Sequence, residues 1–571
     1  MHCGRRPPGR GLDHNKHNRG FPVTNRCDWW QGAIIYQIYP RSFLDTNGDG
    51  VGDLPGIVER LDYLASLGID AIWISPFFKS PMADFGYDIS DYRAVDPLFG
   101  RIEDFDRLLA EAHRRGLKVM IDQVLSHTSI EHPWFLESRT SRDNPRANWY
   151  VWADARADGG PPNNWLSIFG GVAWQWEPRR GQYYLHNFLA QQPDLNFHEP
   201  AVRQAALDNM RFWLDRGVDG FRLDAINFCF HDPLLRDNPP KPLEARAGGG
   251  FRADNPYAFQ RHVFDNTRPE NLEFLAEIRR LIDRYPGAVT LGEISSEDSL
   301  ATMVEYTQPG RLQVAYSFEL LGTDGSPEHI RRTVERANAM AGPSTWPCWA
   351  ISNHDVERVA SRWAAGDPPA HFATFLTAVL CSLRGTICIY QGEELGLTEA
   401  EVPFDALRDP YGIAFWPNFK GRDGCRTPMP WTGAAPSGGF SKASPWLPIP
   451  AAHLARSVDR QDLDPLSALN GFRRFLQWRK LHPELVRGGI RFVAATGGGY
   501  ILERALQADR LIAAFNFTGE RLELPFDAAQ SLESVGGHGL PPGSVEGSRI
   551  VLPAFGAFFG RVRGSQSTTA T

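Results

Sequence analysis

The sequence contains few cysteines: seven in 571 residues, an odd number, with no pair spaced as Cys-x-x-Cys. This pattern argues against a disulfide framework or a thiolate metal site and favours a reducing compartment, so we expect a cytoplasmic protein. The chain also lacks an apolar run of the roughly 18 to 20 residues needed to cross a bilayer. The 60 basic and 67 acidic residues give a net charge of -7, which argues against a nucleic-acid partner.

Both ends of the chain are poor in apolar residues. Residues 1–26 are rich in Arg, His, Gly, Asn and Pro, without the apolar segment of a secretory signal. We therefore expect a disordered tail at 1–27, a second tail at 563–571, and no association with a membrane.

Between the tails, short apolar runs alternate with amphipathic helical stretches. The apolar runs are strand-like, and they are residues 34–39, 71–74, 118–122, 221–225, 289–292, 315–319, 349–351 and 386–390. Eight strands separated by helices are typical of a (β/α)8, or TIM, barrel. A doubly wound open sheet is the alternative, but no glycine fingerprint supports it.

Two segments do not follow this alternation. Residues 127–196 are rich in Trp, Pro, Gly and Asn, and about 70 residues is too long for an ordinary loop, so we expect a small inserted domain after the third strand. Residues 484–562 contain alternating strand patterns, which predict a C-terminal antiparallel β-sandwich. The barrel itself is then assigned to residues 28–126 and 197–483.

Three carboxylates, Asp224, Glu293 and Asp355, stand at or just beyond the ends of predicted strands. Barrel enzymes place their chemistry at this end of the strands. Cleavage or transfer of a glycosidic bond with retention needs a carboxylate nucleophile and a carboxylic acid about 5 to 5.5 Å apart. Asp224 and Glu293 lie on neighbouring strands and are candidates for this pair.

Basic side chains accompany the carboxylates. Arg222 lies two residues before Asp224 on the same strand face, where its charge would keep the nucleophile ionised. His127 and His354 are placed to donate hydrogen bonds to the hydroxyls of a sugar ring. Together these residues predict carboxylate catalysis on a sugar.

The motifs around these residues resemble those of the α-amylase superfamily, glycoside hydrolase family 13, and specifically its bacterial α-glucosidase and oligo-1,6-glucosidase branch. The resemblance covers roughly residues 28–560, and its motifs are residues 122–127, 192–196, 220–224, 292–293 and 353–355. It implies that Asp224 is the nucleophile, Glu293 the acid/base and Asp355 the stabiliser of the transition state.

The same resemblance implies a subsite for one terminal glucose. Arg422, in segment 421–431, is implied to pair with Asp88 and to close a dead-end pocket. Such a pocket admits a single terminal glucosyl unit, whereas an endo-acting enzyme has an open cleft. The residues implied for this subsite are Tyr87, Asp88, His127, Arg222, His354 and Arg422.

The loop after the first strand presents oxygen ligands at alternating positions. A donor set of this kind suits Ca²⁺, although the loop is not an EF-hand because its twelfth position is Gly56. The resemblance implies a structural Ca²⁺, or Mg²⁺, and no organic cofactor. A solvated, Asx-rich turn without metal is the alternative. The predicted ligands are Asp45, Asn47, Asp49, Val51 and Asp53.

Ala225 directly follows the nucleophile. In the resembled family a valine here accompanies α-1,6 activity, while smaller residues or threonine accompany α-1,4 and sucrose activity, so Ala225 favours maltose-like or sucrose substrates. We expect a retaining, exo-acting α-glucosidase, monomer or homodimer, that acts on small oligosaccharides or disaccharides and transfers glucose to other alcohols. The loop after the fourth strand, with residues 231–239 and the glycine-rich stretch 248–250, is expected to shape the aglycone site. A flexible excursion is the alternative for the glycine-rich stretch.

Two alternatives remain open. A sucrose isomerase or trehalose-forming mutase has the same fold, but segment 422–426 departs from the arginine-rich aglycone motif of such isomerases. A non-catalytic sugar-binding or transporter-accessory protein would lack the catalytic carboxylates and carry a membrane anchor. This chain keeps the carboxylates, and its sequence contains no anchor-like segment.

Overall fold

The computed structural model describes residues 28–246, 255–342, 345–364, 368–527 and 531–563. Three predictions fall on other parts of the chain: the N-terminal tail at 1–27, residues 564–571 of the C-terminal tail and the glycine-rich stretch 248–250. These three segments lie outside the described residues.

Eight parallel strands form the central sheet, as the apolar runs predict. Neighbouring strands pair in chain order, and the eighth pairs back onto the first through Ile34 and Ile387. The sixth and seventh strands lie against each other, and in the described part of the chain no ladder joins them, so the barrel is nearly closed. The strands are Ile34–Ile38, Ala71–Ile74, Lys118–Val124, Gly220–Asp224, Val289–Ile294, Val314–Ser317, Cys348–Ala350 and Thr386–Tyr390.

Helices cover the outside of the barrel. Helix Ile102–Arg114 is representative: Phe105, Leu108, Leu109 and Ala112 recur at helical spacing and are buried. Among the described residues no helix is both long and apolar enough to cross a membrane. The other α-helices are Leu54–Glu59, Leu61–Ser66, Pro133–Ser138, Pro200–Arg216, Asn271–Ile282, Ser299–Tyr306, Pro327–Met340, Val359–Arg362, Phe372–Cys381, Pro410–Phe415, Ala451–Ala455, Val458–Leu463, Ala468–Lys480 and Pro483–Arg487. The 3-10 helices are Pro40–Ser42, Ile226–Phe228, Leu243–Ala245, Pro256–Phe259, Glu319–Leu321 and Phe404–Ala406.

The segment between the third and fourth barrel strands forms a small sheet of its own. Its strands Trp152–Ala153, Gln182–Leu185 and Trp174–Glu177 are antiparallel, and Trp165 and the strand residue Trp174 are buried in the core of this segment. A bridge between His127 and Asp194 joins the beginning of the segment to its end. A separate hairpin, Phe78–Lys79 with Asp91–Val95, follows the second barrel strand.

The C-terminal part of the chain forms two antiparallel sheets, as predicted. Apolar side chains of both sheets, including Ile512 and Phe558 from one and Ile550 from the other, form a shared core. The larger sheet has the order Gly489–Thr496, Gly499–Leu506, Asp509–Asn516, Ala557–Val562, Leu532–Ser534. The smaller has the order Leu522–Pro525, Arg549–Leu552, Ser544–Glu546. The exact domain boundaries given above stay predictions.

Candidate active site

Arg222 joins the carboxylates at the ends of three neighbouring barrel strands. One of its terminal nitrogens lies 2.9 Å from Asp122 and also binds Asp224, while the other lies 2.5 Å from Glu293 Oε1. The guanidinium is fully buried and stacks over the indole ring of Trp73, 4.9 Å from the ring centroid. The predicted neighbourhood of Asp224 and Glu293 is therefore formed, with one arginine shared between them.

The charges in this cluster do not balance if every carboxylate is ionised. One guanidinium faces Asp122, Asp224 and Glu293, which would leave two net negative charges in a buried space. Burial raises the pKa of Glu293 to about 7, and it raises the pKa of Asp224 although Arg222 opposes this. The cluster therefore retains protons near neutral pH, as an acid beside a nucleophile requires.

Two further groups hold the carboxylate of Glu293. The hydroxyl of Tyr316 donates to Oε1 at 3.1 Å, and the backbone N–H of Ala225 donates to Oε2 at 3.0 Å. Ala225 has a φ of 40°, in the left-handed region that non-glycine residues rarely adopt. The residue predicted to influence specificity thus also orients Glu293 through its backbone.

Asp355 follows the seventh barrel strand and is held by two arginines. Arg426 lies 2.9 Å and Arg422 3.2 Å from the same carboxylate oxygen, and His354 lies 3.3 Å from the other. Burial opposes its ionisation, but the charges of Arg422 and Arg426 outweigh this and hold its pKa below the ordinary value. Asp355 is therefore a permanent negative charge at the site, unlike Glu293.

The two predicted histidines have different surroundings. The ring nitrogens of His354 lie 2.7 Å from Gln37 and 2.7 Å from the hydroxyl of Tyr87, so His354 is held within a protein network behind the cavity wall. His127 lines the cavity beside Gln192, and burial lowers its pKa to about 4. His127 is therefore neutral at physiological pH.

The predicted pair between Asp88 and Arg422 is wrong. Arg422 instead lies 2.8 Å from Asp84 and 2.8 Å from Asp409, so Asp84 takes the position expected for Asp88. Asp88 is fully buried and accepts hydrogen bonds from the Ser80 hydroxyl and from the backbone N–H groups of residues 83 and 84. It closes its own loop rather than facing the cavity.

A single cavity gathers most of the predicted residues. Asp224, Glu293, Asp355 and Arg422 line its floor and one side. Arg222, His354 and Asp88 lie behind the wall, where they orient other residues. The remaining lining is largely apolar and aromatic, and it includes Ile168, Phe169, Phe188, Phe228, Phe318 and Tyr411.

Comparison with known proteins identifies the family in which this arrangement of residues occurs. The family described as alpha amylase, catalytic domain, matches residues 37–488. The chain belongs to the α-amylase family. It is thus a glycoside hydrolase with a (β/α)8 barrel, as the motifs predict.

Individual relatives of this α-amylase-family chain carry more specific names. A probable α-glucosidase of Rhizobium meliloti (strain 1021) is 56% identical over 542 residues, which are 94% of this chain and 97% of that protein. An oligo-1,6-glucosidase of Parageobacillus thermoglucosidasius is 36% identical over 523 residues, which are 86% of this chain and 90% of that protein. The crystal structure of an α-glucosyl transfer enzyme, XgtA, superposes with a TM-score of 0.93 at 62% identity, covering 94% of this chain and all of that one.

Sequence reasoning missed several residues of the site. Arg426 lies in segment 421–431, whose resemblance to the family already marks it as part of the site. Only the fold, however, shows that Arg426 binds Asp355. Asp84 precedes Tyr87 by three residues, and the spacing alone does not show which acid faces the cavity. Tyr316 lies within an apolar strand, where a tyrosine is usually part of the core.

The predicted metal loop of this family member has suitable donors. Asp45 accepts from the N–H groups of residues 48 and 50, and Asp53 accepts from residues 46 and 56 at the start of helix Leu54–Glu59. The Ser441 hydroxyl also donates to Asp45, and the Thr46 hydroxyl contacts both oxygens of Asp53. A carboxylate has about four lone-pair sites in all, so Asp45 keeps capacity for a cation, whereas Asp53 would have to give up a hydrogen bond to bind one. Among the described residues, however, no three His, Cys, Asp or Glu side chains are grouped as a metal site.

Proposed function

We propose that the protein is a retaining, exo-acting α-glucosidase that removes a terminal α-glucosyl unit from maltose-like or sucrose substrates and transfers it to water or to another alcohol. The observation that carries the proposal is the sharing of one buried guanidinium, Arg222, by Asp224 and Glu293 at the floor of a cavity. The names of two relatives, a probable α-glucosidase and an α-glucosyl transfer enzyme, support the glucosidase and transfer parts of the proposal, whereas the oligo-1,6-glucosidase is named for the other linkage.

In the first step a carboxylate oxygen of Asp224 attacks the anomeric carbon. Glu293 gives its proton to the glycosidic oxygen, so the C–O bond breaks and the aglycone leaves as an alcohol. In the second step water or an acceptor alcohol gives a proton to Glu293 while its oxygen attacks the same carbon and releases Asp224. Asp355, ionised beside Arg422 and Arg426, favours the positive charge that develops on the sugar.

Exo action is supported by the contacts of Arg422. This side chain joins Asp84 and Asp409 and also reaches Asp355, so it forms a wall at the end of the cavity that holds the terminal glucose. Its guanidinium also lies over the ring of Phe169, 5.1 Å from the centroid, on the aromatic side. A wall of this kind leaves room for one sugar beyond the bond that is cleaved.

Transfer to alcohols is supported by the apolar side of the cavity. Phe188 and Phe228 pack against each other with ring centroids 5.4 Å apart, and both lie near Ala225 and Ile168. An acceptor that covers these rings gains contact area that water does not. The small side chain of Ala225 leaves this space open.

One experiment tests the proposal. Wild-type protein is incubated with maltose, isomaltose, sucrose, trehalose and p-nitrophenyl α-glucoside, and the anomer released first is followed by NMR. We expect α-glucose first, with maltose or sucrose preferred over isomaltose, and about 10³-fold or greater losses of kcat in Asp224→Asn and Glu293→Gln. Release of β-glucose, or near-normal turnover by either variant, would contradict the mechanism. Rearranged disaccharides from sucrose would instead favour the isomerase alternative.

We also propose that the loop of residues 45–53 binds Ca²⁺ or Mg²⁺. Asp45 and Asp53 are buried near each other, and neither forms a salt bridge among the residues that the structure describes. The exposed carboxylate of Asp49 and the amide of Asn47 supply further oxygens, and such a site stabilises the loop without taking part in the reaction.

Removal of divalent cations with EDTA should lower the melting temperature of the protein, and added CaCl₂ or MgCl₂ should restore it. In Asp49→Asn the restoring concentration should rise at least tenfold, because the substitution keeps the local hydrogen bond to Val51 and removes one ligand charge. Identical melting curves with EDTA and with added cation would leave the Asx-rich turn as the explanation.

We also propose that the protein is cytoplasmic and that it is a monomer or homodimer. Free thiols support the cytoplasmic part of this proposal, because disulfides are rare in a reducing compartment. The sulfurs of Cys348 and Cys388 are neighbours but lie 3.6 Å apart and are not bonded. The free cysteines, all buried, are Cys229, Cys348, Cys381, Cys388 and Cys425. Fractionation of cells and light scattering of the purified protein test the two parts of this proposal.

A further inference from the structure

Tyr316 is the third residue of the sixth barrel strand, Val314–Ser317, and its side chain points into the barrel. It is in register with Glu293 on the neighbouring strand. Only 1% of its surface is exposed, and its ring packs in the inner core near Trp73 and Phe318. A phenylalanine would satisfy this packing, so the hydroxyl group needs a separate explanation.

The Tyr316 hydroxyl is bonded on both of its sides. It donates to Glu293 Oε1 at 3.1 Å and accepts from a terminal nitrogen of Arg222 at 3.1 Å. The same nitrogen of Arg222 also contacts Glu293 Oε1 directly. Oε1 therefore lies in ion-pair contact with the guanidinium and accepts from a hydroxyl, whereas Oε2 accepts from the backbone N–H of Ala225.

This asymmetry decides where the proton of the acid sits. An oxygen that lies against a guanidinium charge and accepts a hydroxyl hydrogen bond is better stabilised without a proton, so the proton of the neutral acid goes to the other oxygen. We propose that Tyr316 is a positioning residue that acts through Glu293, holding Oε1 as an acceptor so that Oε2 carries the proton given to the glycosidic oxygen. The inference rests on the proposed function, in which Glu293 is the acid/base.

The direction of the effect follows from the charges that face Glu293. Arg222 and Asp224 belong to the fourth strand, Asp122 lies on the third, and Asp355 follows the seventh. The hydroxyl of Tyr316 stabilises the ionised carboxylate among these groups. Its removal should raise the pKa of Glu293 by roughly 0.5 to 1 unit. Oε1 then keeps only its contact with Arg222, so a larger share of the neutral acid carries its proton on Oε1, facing away from the glycosidic oxygen.

The test compares Tyr316→Phe with the wild type on two substrates of different leaving ability. The leaving group of maltose is a glucose hydroxyl oxygen, which needs protonation, whereas that of p-nitrophenyl α-glucoside is a stable phenolate, which needs little. We expect kcat/KM for maltose to fall about tenfold and that for the aryl glucoside less than about twofold. The basic limb of the pH profile for maltose should move to higher pH.

Tyr306→Phe is the matched control, since Tyr306 is equally buried and its hydroxyl accepts from Asn271 away from the site. It should leave the pH profile unchanged, and the melting temperature of each variant reports on folding. Equal losses of Tyr316→Phe on both substrates, or an unmoved basic limb, would overturn the inference. Failure of the proposed function itself would be visible earlier, as a wild-type protein that cleaves neither substrate.

Discussion

At the floor of the cavity, Glu293 is buried with one guanidinium and several carboxylates around it. Arg222 attracts its ionised form, while Asp224 and Asp355 repel it. The balance of burial and repulsion raises its pKa to about 7, whereas an exposed glutamate titrates near 4.3. A group placed in this way serves as an acid at neutral pH, and the folded chain loses stability when it ionises.

The stability of Glu293→Gln should therefore depend on pH in a defined direction. Between about pH 4.5 and 7 the folded protein keeps a proton that the unfolded chain has released, so wild-type stability falls as pH rises through this window. The variant lacks this loss. Its free energy of unfolding, relative to that of the wild type, should therefore rise by up to about 3 kcal/mol between pH 5 and pH 8. Urea unfolding at the two values measures it, with the exposed Glu305→Gln as control. If the difference in free energy of unfolding between variant and wild type stays constant with pH, the pKa of Glu293 is not raised in the folded protein.

On the scale of a structural element, the loop of residues 80–88 determines which acid reaches the cavity. Phe85 and Gly86 have φ values of 51° and 110°, so the chain reverses between Asp84 and Asp88. Asp84 then faces Arg422, while Asp88 accepts the N–H groups of its own loop. The sequence shows two acids four residues apart, but the turn that separates their roles is a property of the folded loop.

Substitutions of these two acids should separate binding from stability. Asp84→Asn removes the charge that faces Arg422 and should lower kcat/KM for maltose at least tenfold with little change in melting temperature. Asp88→Asn replaces one acceptor oxygen with a donor that meets the loop N–H groups, and it should cost about 1 to 3 kcal/mol of stability. Kinetics and thermal unfolding of both variants measure this. A purely kinetic effect of Asp88→Asn would restore it as a substrate residue.

On the scale of the whole molecule, the strand patterns predict the barrel and the C-terminal sheets because each apolar run folds largely by its own periodicity. The contacts between the barrel and the C-terminal sheets join residues far apart in the chain, so no local sequence pattern predicts them. Arg504 is the main example: it is fully buried, although it lies in a strand, Gly499–Leu506, of the C-terminal sheet. The same limit applies to Tyr316, because its hydroxyl contacts Arg222 and Glu293, which lie on other strands.

Arg504 attaches the C-terminal sheet to the barrel by donating to backbone carbonyls. Its guanidinium contacts the carbonyls of Ser382 at 2.7 Å and Leu383 at 3.0 Å, just after the barrel helix Phe372–Cys381, and that of Gly488 at 2.8 Å. Arg504→Met keeps much of the apolar stem but leaves these buried acceptors without a donor. We expect a loss of about 2 to 4 kcal/mol in the free energy of unfolding.

Arg491→Met on the same sheet is the matched control, since 59% of the Arg491 side chain is exposed and Arg510 still pairs with Glu503 after the change. It should alter the free energy of unfolding by less than about 0.5 kcal/mol. Calorimetry then gives the decisive measurement. If Arg504 joins the two parts, the C-terminal sheets of Arg504→Met should melt at a lower temperature than the barrel, as a separate transition. One unshifted transition in Arg504→Met would show that apolar packing between barrel and sheet suffices, because the buried carbonyls would then cost nothing when their donor is removed.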